Sequence, residues 1–213
     1  MKNKVLLLDI DYTIYNPKDA AVLRNKKIAS LCKTNFSKTN KEVTKIYKQV
    51  TLKTNYLIPQ IFINRLSKHF SINKKKMSKI IWSNEILHNY LFKDVKRTLS
   101  QIKKIAKIII YSQGDKGFQT EKLFYIKKYI NDIYIHKNKI KSLKKTINKF
   151  KDKKIFIIDD WPLVLKKAKD INKDVFTIQM YRGNKARKYN NYRFKPDVKI
   201  TSFRSLYKII KAY

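Results

Sequence analysis

Hydrophobic positions run along this chain in two rhythms. Val5-Leu-Leu-Leu8 is a short unbroken apolar run ending in acids, the pattern of a strand buried on both faces of a parallel sheet. From Pro17 to about Phe92 the spacing turns helical, as in Val43, Ile46, Tyr47, Val50 and then Ile58, Ile61, Phe62, Leu66. From Asp94 onward helix-like and strand-like pieces alternate. They read Val95–Lys104, Ile108–Tyr111, Phe118–Tyr129, Ile133–Ile135, Leu143–Phe150, Ile155–Ile158, Leu163–Ile171, Val175–Ile178, Val198–Ile200 and Leu206–Ile210. Such alternation predicts an α/β fold, a parallel sheet with helices on both faces. The helical stretch after the first strand is too long for a crossover. It is expected to be an inserted all-helical cap over 17–92, with 1–16 and 93–213 forming the core.

In sheets of this kind reactive groups gather at the carboxyl ends of the strands. Three predicted strand ends carry side chains able to do chemistry: Asp9 and Asp11, Ser112, and Asp159 and Asp160. Placing carboxylates together is costly because like charges repel. The chain has only 15 acids in 213 residues, so four at two strand ends is not a chance scatter. A divalent cation would relieve the repulsion, and an all-oxygen donor set suits Mg²⁺. Asp9, Asp11, Asp159 and Asp160 are therefore the expected metal centre.

Composition changes the picture in two places. The 43% of apolar residues is enough for a packed core and excludes a disordered chain, and no apolar run reaches the ~18 residues of a membrane span. Lys2 and Lys4 before Val5–Leu8 imitate the start of a signal peptide, but Asp9 and Asp11 interrupt it after four apolar residues. The single Cys32 excludes an internal disulfide, so a cytoplasmic protein is expected. The formal net charge is +36, from 51 Lys and Arg against the 15 acids. Lys outnumbers Arg 44 to 7, Ile and Asn are abundant at 30 and 17, and Gly and Pro are scarce at 3 and 4. An AT-rich coding sequence writes such a skew, although it does not explain the shortage of acids. The lysines are spread throughout, with no Arg-rich or aromatic-interleaved recognition segment. Weak, non-specific nucleic-acid binding follows from the charge alone.

The strand-end residues resemble the motifs of the haloacid dehalogenase (HAD) superfamily. Asp9-Ile-Asp11-Tyr-Thr13-Ile is similar to its first motif, Ser112 after Ile108-Ile-Ile-Tyr111 to its second, and Ile155-Phe-Ile-Ile-Asp159-Asp160 to its fourth. Order, spacing and cap position also fit, over nearly the whole chain; Tyr12 stands where glycine is commoner. The resemblance implies a Rossmann-like core and phosphoryl chemistry. Asp9 would be the nucleophile and Asp11 the general acid and base. Mg²⁺ would be held by Asp9, the Asp11 carbonyl and Asp160, with Asp159 in support. Thr13, Ser112 and a motif-three lysine would bind the phosphoryl oxygens, with Gln113 and Gly114 lining the substrate. Dehalogenases of this family lack the second acid, because a halide leaves without a proton.

The third-motif lysine is ambiguous. After Ile133-Tyr-Ile135, spacing to the following helix favours Lys137, distance from the strand permits Lys139, and Lys141 is the weakest candidate. Shorter resemblances point to a nucleotidase-like branch. Asp9–Pro17 is similar to the opening of pyrimidine 5′-nucleotidase relatives, as are Ser112-Gln-Gly-Asp115 and Gln119-x-x-Lys-Leu123 to their corresponding stretch. Asp159-Asp-Trp-Pro162 resembles the Asp-Asp-Arg-Pro of 5′(3′)-deoxyribonucleotidases. The expected protein is a Mg²⁺-dependent phosphomonoesterase, monomer or homodimer, acting on a small phosphorylated substrate such as a nucleoside monophosphate, with no membrane partner. The alternative is a nucleic-acid-associated protein on the same fold, an end phosphatase or a non-catalytic binder. His69, His88 and His136 show no metal spacing. Trp82 fits the core face of a cap helix, Trp161 either shapes the pocket or packs, and Arg182-Gly183 lies at a further strand end.

Overall fold

The structure, a computed structural model, describes residues 3–182 and 194–213. Among the described residues six strands form one wholly parallel sheet: β1 (Lys4–Leu8), β2 (Lys107–Gln113), β3 (Asp132–His136), β4 (Lys154–Asp159), β5 (Phe176–Met180) and β6 (Val198–Ile200). Their order is β3-β2-β1-β4-β5-β6. The strand order therefore reverses at β1, which lies between β2 and β4, the place where α/β sheets open a crevice for ligands.

The unbroken apolar runs are explained by two cores, one on each face. Leu6, Leu8, Ile108, Ile110, Phe156 and Ile158 point to one side, where helices α6 (Val95–Ile105) and α10 (Leu206–Ala212) cover them. Val5, Leu7, Ile109, Tyr111, Ile155 and Ile157 point to the other, under α8 (Lys139–Lys149) and α9 (Pro162–Ile171). Alternation of side chains along a strand feeds both cores from the same residues. Asp94 ties this frame together at the start of α6: it accepts from Arg182, from Ser202 Oγ at 2.7 Å and from Phe203 N at 2.8 Å.

Between β1 and α6 the described chain is helical: α1 (Pro17–Leu31), α2 (Phe36–Thr51), α3 (Pro59–His69), α4 (Lys74–Ile81) and α5 (Asn84–His88). Asn16, Asn35 and Asn73 cap α1, α2 and α4 through their side chains, and Pro17 and Pro59 open α1 and α3, where a missing N–H costs nothing. Ile28, Val43, Ile46, Val50, Phe62, Ile63, Leu66, Met77 and Ile81 form a third core belonging to these helices, with Cys32 packed against it.

Some elements differ from the periodicity. Phe118–Tyr129 is not one helix but α7 (Lys116–Glu121) followed by a 3₁₀ turn (Phe124–Tyr129). The break at Lys122-Leu123 lets Leu123 and Ile126 reach the core while Lys122 turns elsewhere. β5 runs two residues past the expected end, because Met180 finds a partner in Ile200. Tyr47, Ile61 and Trp82 are exposed rather than core. Trp82 packs edge-on against Phe118 of α7, with ring centroids 5.5 Å apart, joining the helical insertion to the core.

Candidate active site at the carboxyl ends of β1, β2 and β4

Register brings the strand ends together. Leu8 pairs with Ile110 on one side and Ile158 on the other, so Asp9, Ser112 and Asp159 emerge beside one another. Asp9 N continues the β1–β4 pairing by donating to Ile158 O at 3.1 Å. Asp9 and Asp159 are buried, at 4% and 1% exposure. Ser112 Oγ donates to Asp9 Oδ1 at 3.0 Å, and Thr13 Oγ1 makes a long contact of 3.4 Å to Asp9 Oδ2.

The lysine that completes this cluster is Lys139. Its ammonium donates to Asp9 Oδ1 at 2.9 Å and to Asp159 Oδ2 at 2.6 Å, and the residue is 4% exposed. Lys137, favoured by spacing, is exposed, and Lys141 lies on a different part of α8, its backbone N–H bonded to the Asn138 cap. Asn138 explains the difference: it caps α8, so Lys139 becomes the first helical residue and faces the sheet. Burial works against a charged ammonium, but the carboxylates of Asp159 and Asp9 hold Lys139 protonated, well above the ordinary lysine range.

Carboxylate oxygens of Asp9, Asp159 and Asp160 lie within 4.8 Å of one another. Burial raises the Asp159 pKa to about 7 despite Lys139, and burial with the neighbouring Asp159 and Asp9 pushes Asp160 well above the usual range. These raised values report carboxylates that resist being charged together: ionising all three would leave two negative charges in excess of the one ammonium. An oxygen-only site with that imbalance fits a hard divalent cation such as Mg²⁺. The two acids of the pair differ in what already occupies them. Asp159 accepts from Lys139 through Oδ2 and from Trp161 N, at 2.9 Å, through Oδ1. Asp160 receives no hydrogen bond among the described residues, so its oxygens are the ones left for a cation.

Asp11 sits apart from this cluster. Lys122 Nζ donates to Asp11 Oδ1 at 2.7 Å and Oδ2 at 3.0 Å, and Gln119 Nε2 donates to Oδ2 at 2.8 Å. Neither Lys122 nor Gln119 was singled out as a site residue from sequence. The available signal was their spacing of three on one helical turn directly after the Ser112 strand. Tyr12, directly after Asp11, takes φ +59°, a left-handed conformation that favours glycine.

Gln113 and Gly114 are placed to build the site. Gln113 Nε2 donates to Thr54 O of the helical insertion at 3.4 Å, and its Oε1 accepts from Lys139 N at 3.3 Å. Gly114 adopts φ +154°, and a Cβ there would meet Gln119 atoms at 2.8 Å, so the missing side chain makes room for the Gln119 that holds Asp11. Arg182 stacks over Phe92, pairs with Asp94 and donates to Thr13 O at 3.3 Å, which braces the loop after β1. Gly183 lies outside the described residues. His88 stacks on Phe124, and His69 faces Glu42 at 3.4 Å; neither joins the cluster. A depression of about 650 Å³ on α4 and α5, lined by Lys75, Lys79 and Trp82 among others, shares no residue with it.

No protein-family model and no curated protein sequence matches the chain. Solved structures do resemble it. A haloacid dehalogenase-like hydrolase from Burkholderia xenovorans LB400 superposes with a TM-score of 0.80 at 15% identity, covering 98% of this chain and 99% of that one. The HAD-hydrolase YfnB from Bacillus subtilis, bound to magnesium, gives 0.68 at 14% identity over 99% and 100%. The L-2-haloacid dehalogenase from Xanthobacter autotrophicus gives 0.66 at 11% identity over 99% of each chain. At these identities the likeness establishes the fold, which is that of the HAD-like hydrolases.

Proposed function

We propose that this protein is a Mg²⁺-dependent phosphomonoesterase that works through an aspartyl-phosphate on Asp9, with the helices between β1 and α6 acting as its cap. The observation that carries the reading is the meeting of Asp9, Asp159 and Asp160 within 4.8 Å around a single ammonium, with a second acid, Asp11, two residues along. A phosphate monoester is an anion that resists an anionic nucleophile, so the site must neutralise charge and fix an in-line approach. Mg²⁺, when bound, would supply most of that neutralisation; Asp9 and Asp160 would hold it with the Asp11 carbonyl.

The chain's own groups have distinct tasks. Ser112 and Lys139 fix Asp9 Oδ1, which leaves Oδ2, with only the long Thr13 contact, to attack phosphorus. A phosphoryl group docked there lies within reach of the Ser112 hydroxyl, Thr13 and the Lys139 ammonium, where developing charge is stabilised. Asp11 gives a proton to the leaving oxygen and then takes one from the hydrolytic water. To do so it must leave Lys122. The solved neighbours include dehalogenases, but expelling a halide needs no proton donor, so Asp11 favours phosphoryl transfer. With Mg²⁺ present, a panel of phosphate monoesters should release phosphate while 2-chloropropionate releases no chloride. Chloride release without phosphate release would overturn the reading.

Asp160→Asn should weaken Mg²⁺ binding severely, because it removes the carboxylate that holds no donor in the site. Excess Mg²⁺ should restore part of the activity. Asp159→Asn should cost less in metal affinity, since that side chain already serves Lys139 and Trp161 N. Calorimetric Mg²⁺ titration of both variants checks the order; a reversed order would reassign the direct ligand.

The second reading, a nucleic-acid-associated protein, is favoured by the +36 charge. We propose only weak, sequence-independent binding. Gel shifts should show complexes at low salt that vanish by 200 mM, since diffuse phosphate contacts lose ~10³–10⁵ in affinity over such a range. Complexes that survive 200 mM salt, or that prefer one sequence, would promote this reading to the main function.

A further inference from the structure

The loop that carries Asp11 and Thr13 is a tight turn. Ile14 N and Tyr15 N both donate to Ile10 O at 2.9 Å, and Tyr12 within the turn takes its left-handed φ of +59°. A strained residue of this kind persists where the surroundings over-determine the backbone. Thr13, next in the chain, is fully buried, so its carbonyl oxygen needs a donor from the protein. Among the described residues that donor is Arg182, through Nε and Nη2, each at 3.3 Å.

The same guanidinium makes a bidentate pair with Asp94, at 2.8 and 2.9 Å. Its carbon stands 4.1 Å from the Phe92 ring centroid and 5.5 Å from that of Phe203, and the Arg182 and Asp94 side chains are each 10% exposed. Burial works against the Asp94 charge, yet hydrogen bonds from Arg182, Ser202 and Phe203 N hold its carboxyl below the usual carboxylate range. The partner that orients the fork therefore stays ionised. Phe92 and Asp94 lie where the helical insertion returns to the core, and Thr13 lies just before it leaves. These two crossings pair with each other: Phe92 N donates to Ile14 O at 3.0 Å and Asn16 N to Tyr90 O at 2.8 Å, around the bridge between Tyr15 and Leu91. Arg182 clamps both crossings at once.

We propose that Arg182 is a positioning residue for the reaction at Asp9, acting through Thr13 and not through the substrate. Thr13 Oγ1 contacts Asp9 Oδ2 at 3.4 Å, the oxygen assigned to attack phosphorus. A fork that fixes the Thr13 carbonyl fixes the Cα from which that hydroxyl projects. All three nitrogens of the guanidinium already have acceptors within the protein, so it serves as a brace. This rests on the phosphomonoesterase reading and adds to it a residue 169 positions from the loop it holds.

Arg182→Lys is the substitution that tests this, since its ammonium can still pair with Asp94 but lacks the planar fork that reaches Thr13 O at the same time. With p-nitrophenyl phosphate and Mg²⁺, kcat should fall roughly 10–100-fold and KM stay within about twofold, since a misplacement of ~1 Å costs up to ~10²-fold. Asp94→Asn, which keeps Arg182 and loosens its orientation, should show the same kcat loss in smaller measure, a second variant where Arg182→Lys folds poorly. Thr13→Val removes the hydroxyl and keeps the side-chain shape. In that background Arg182→Lys should cost less than about twofold more, because the group it positions is gone. A role in stability alone multiplies the two losses, and that result overturns the inference. So does a rise in KM with kcat unchanged, which would make Arg182 a substrate contact. Hydrogen exchange gives a readout that needs no turnover: the Ile14 and Tyr15 amides should exchange roughly 10-fold faster in Arg182→Lys, with the β1–β4 pairing unchanged. Unaltered exchange at those amides overturns the inference. A wild-type protein that hydrolyses no phosphate monoester strikes the parent reading instead, and the exchange result alone then decides whether Arg182 sets the Thr13 loop.

Discussion

Asp9→Asn should abolish turnover and leave no covalent phosphate on the protein, whereas Asp11→Asn should form the adduct and fail to clear it. The contrast follows from where the two side chains stand. Asp9 is buried at the centre of the cluster, contacting Ser112, Lys139 and Thr13, so an amide there would replace both the proposed attacking oxygen and a carboxylate of the candidate metal centre. Asp11 contributes its carboxylate to Lys122 and Gln119 instead, outside the Asp9–Asp159–Asp160 group. Asp11→Asn therefore keeps the nucleophile and its charge balance and removes only the proton carrier, which contributes typically 10²–10⁴-fold. The loss should shrink for an activated aryl phosphate, whose leaving group needs no proton. With that substrate the variant should show a burst of one aryl alcohol per protein, then slow turnover. Mass spectrometry of the quenched protein should find phosphate on Asp9. An adduct on another residue, or an undiminished steady-state rate in Asp11→Asn, would overturn the mechanism.

Lys139→Met should be the most damaging single change to both stability and activity among the lysines near the third motif. It leaves Asp9, Asp159 and Asp160 within 4.8 Å of one another with no ion-paired cation among the described residues. Removing one partner from a buried pair costs about 3–5 kcal/mol. For a domain of this size that is ~6–20 °C in melting temperature. Added Mg²⁺ should return part of the loss in Lys139→Met, since it binds only the folded site and relieves the same repulsion. Turnover should fall ~10²–10³-fold, the usual effect of deleting one donor to a developing oxyanion. Lys137→Met, at an exposed position, should stay within about 0.5 kcal/mol of wild type. Thermal melts with and without Mg²⁺ test both substitutions. A harmless Lys139→Met would mean that the acids are balanced by another cation.

The chain's pattern by itself determined the sheet and the three strand ends. Unbroken runs such as Val5–Leu8 and Ile155–Ile158 admit only burial on both faces, and an acid at the end of such a run can only emerge where the sheet stops. The long helical stretch after β1 was equally legible, because its 3.6-residue spacing never yields to a strand. What the pattern left open depended on contacts between residues far apart in sequence. Lys137 and Lys139 differ by two positions and by no local signal strong enough to rank them; the Asn138 cap, which starts α8 at Lys139, decides which one faces Asp9. The break in Phe118–Tyr129 has the same origin, since Lys122 turns to a carboxylate 111 residues away. Tyr47 carries a helical rhythm that reads as ordinary core, yet the packed helices leave it exposed. Periodicity reports which face of an element is buried, whereas charge pairing across elements exists only after the chain has closed.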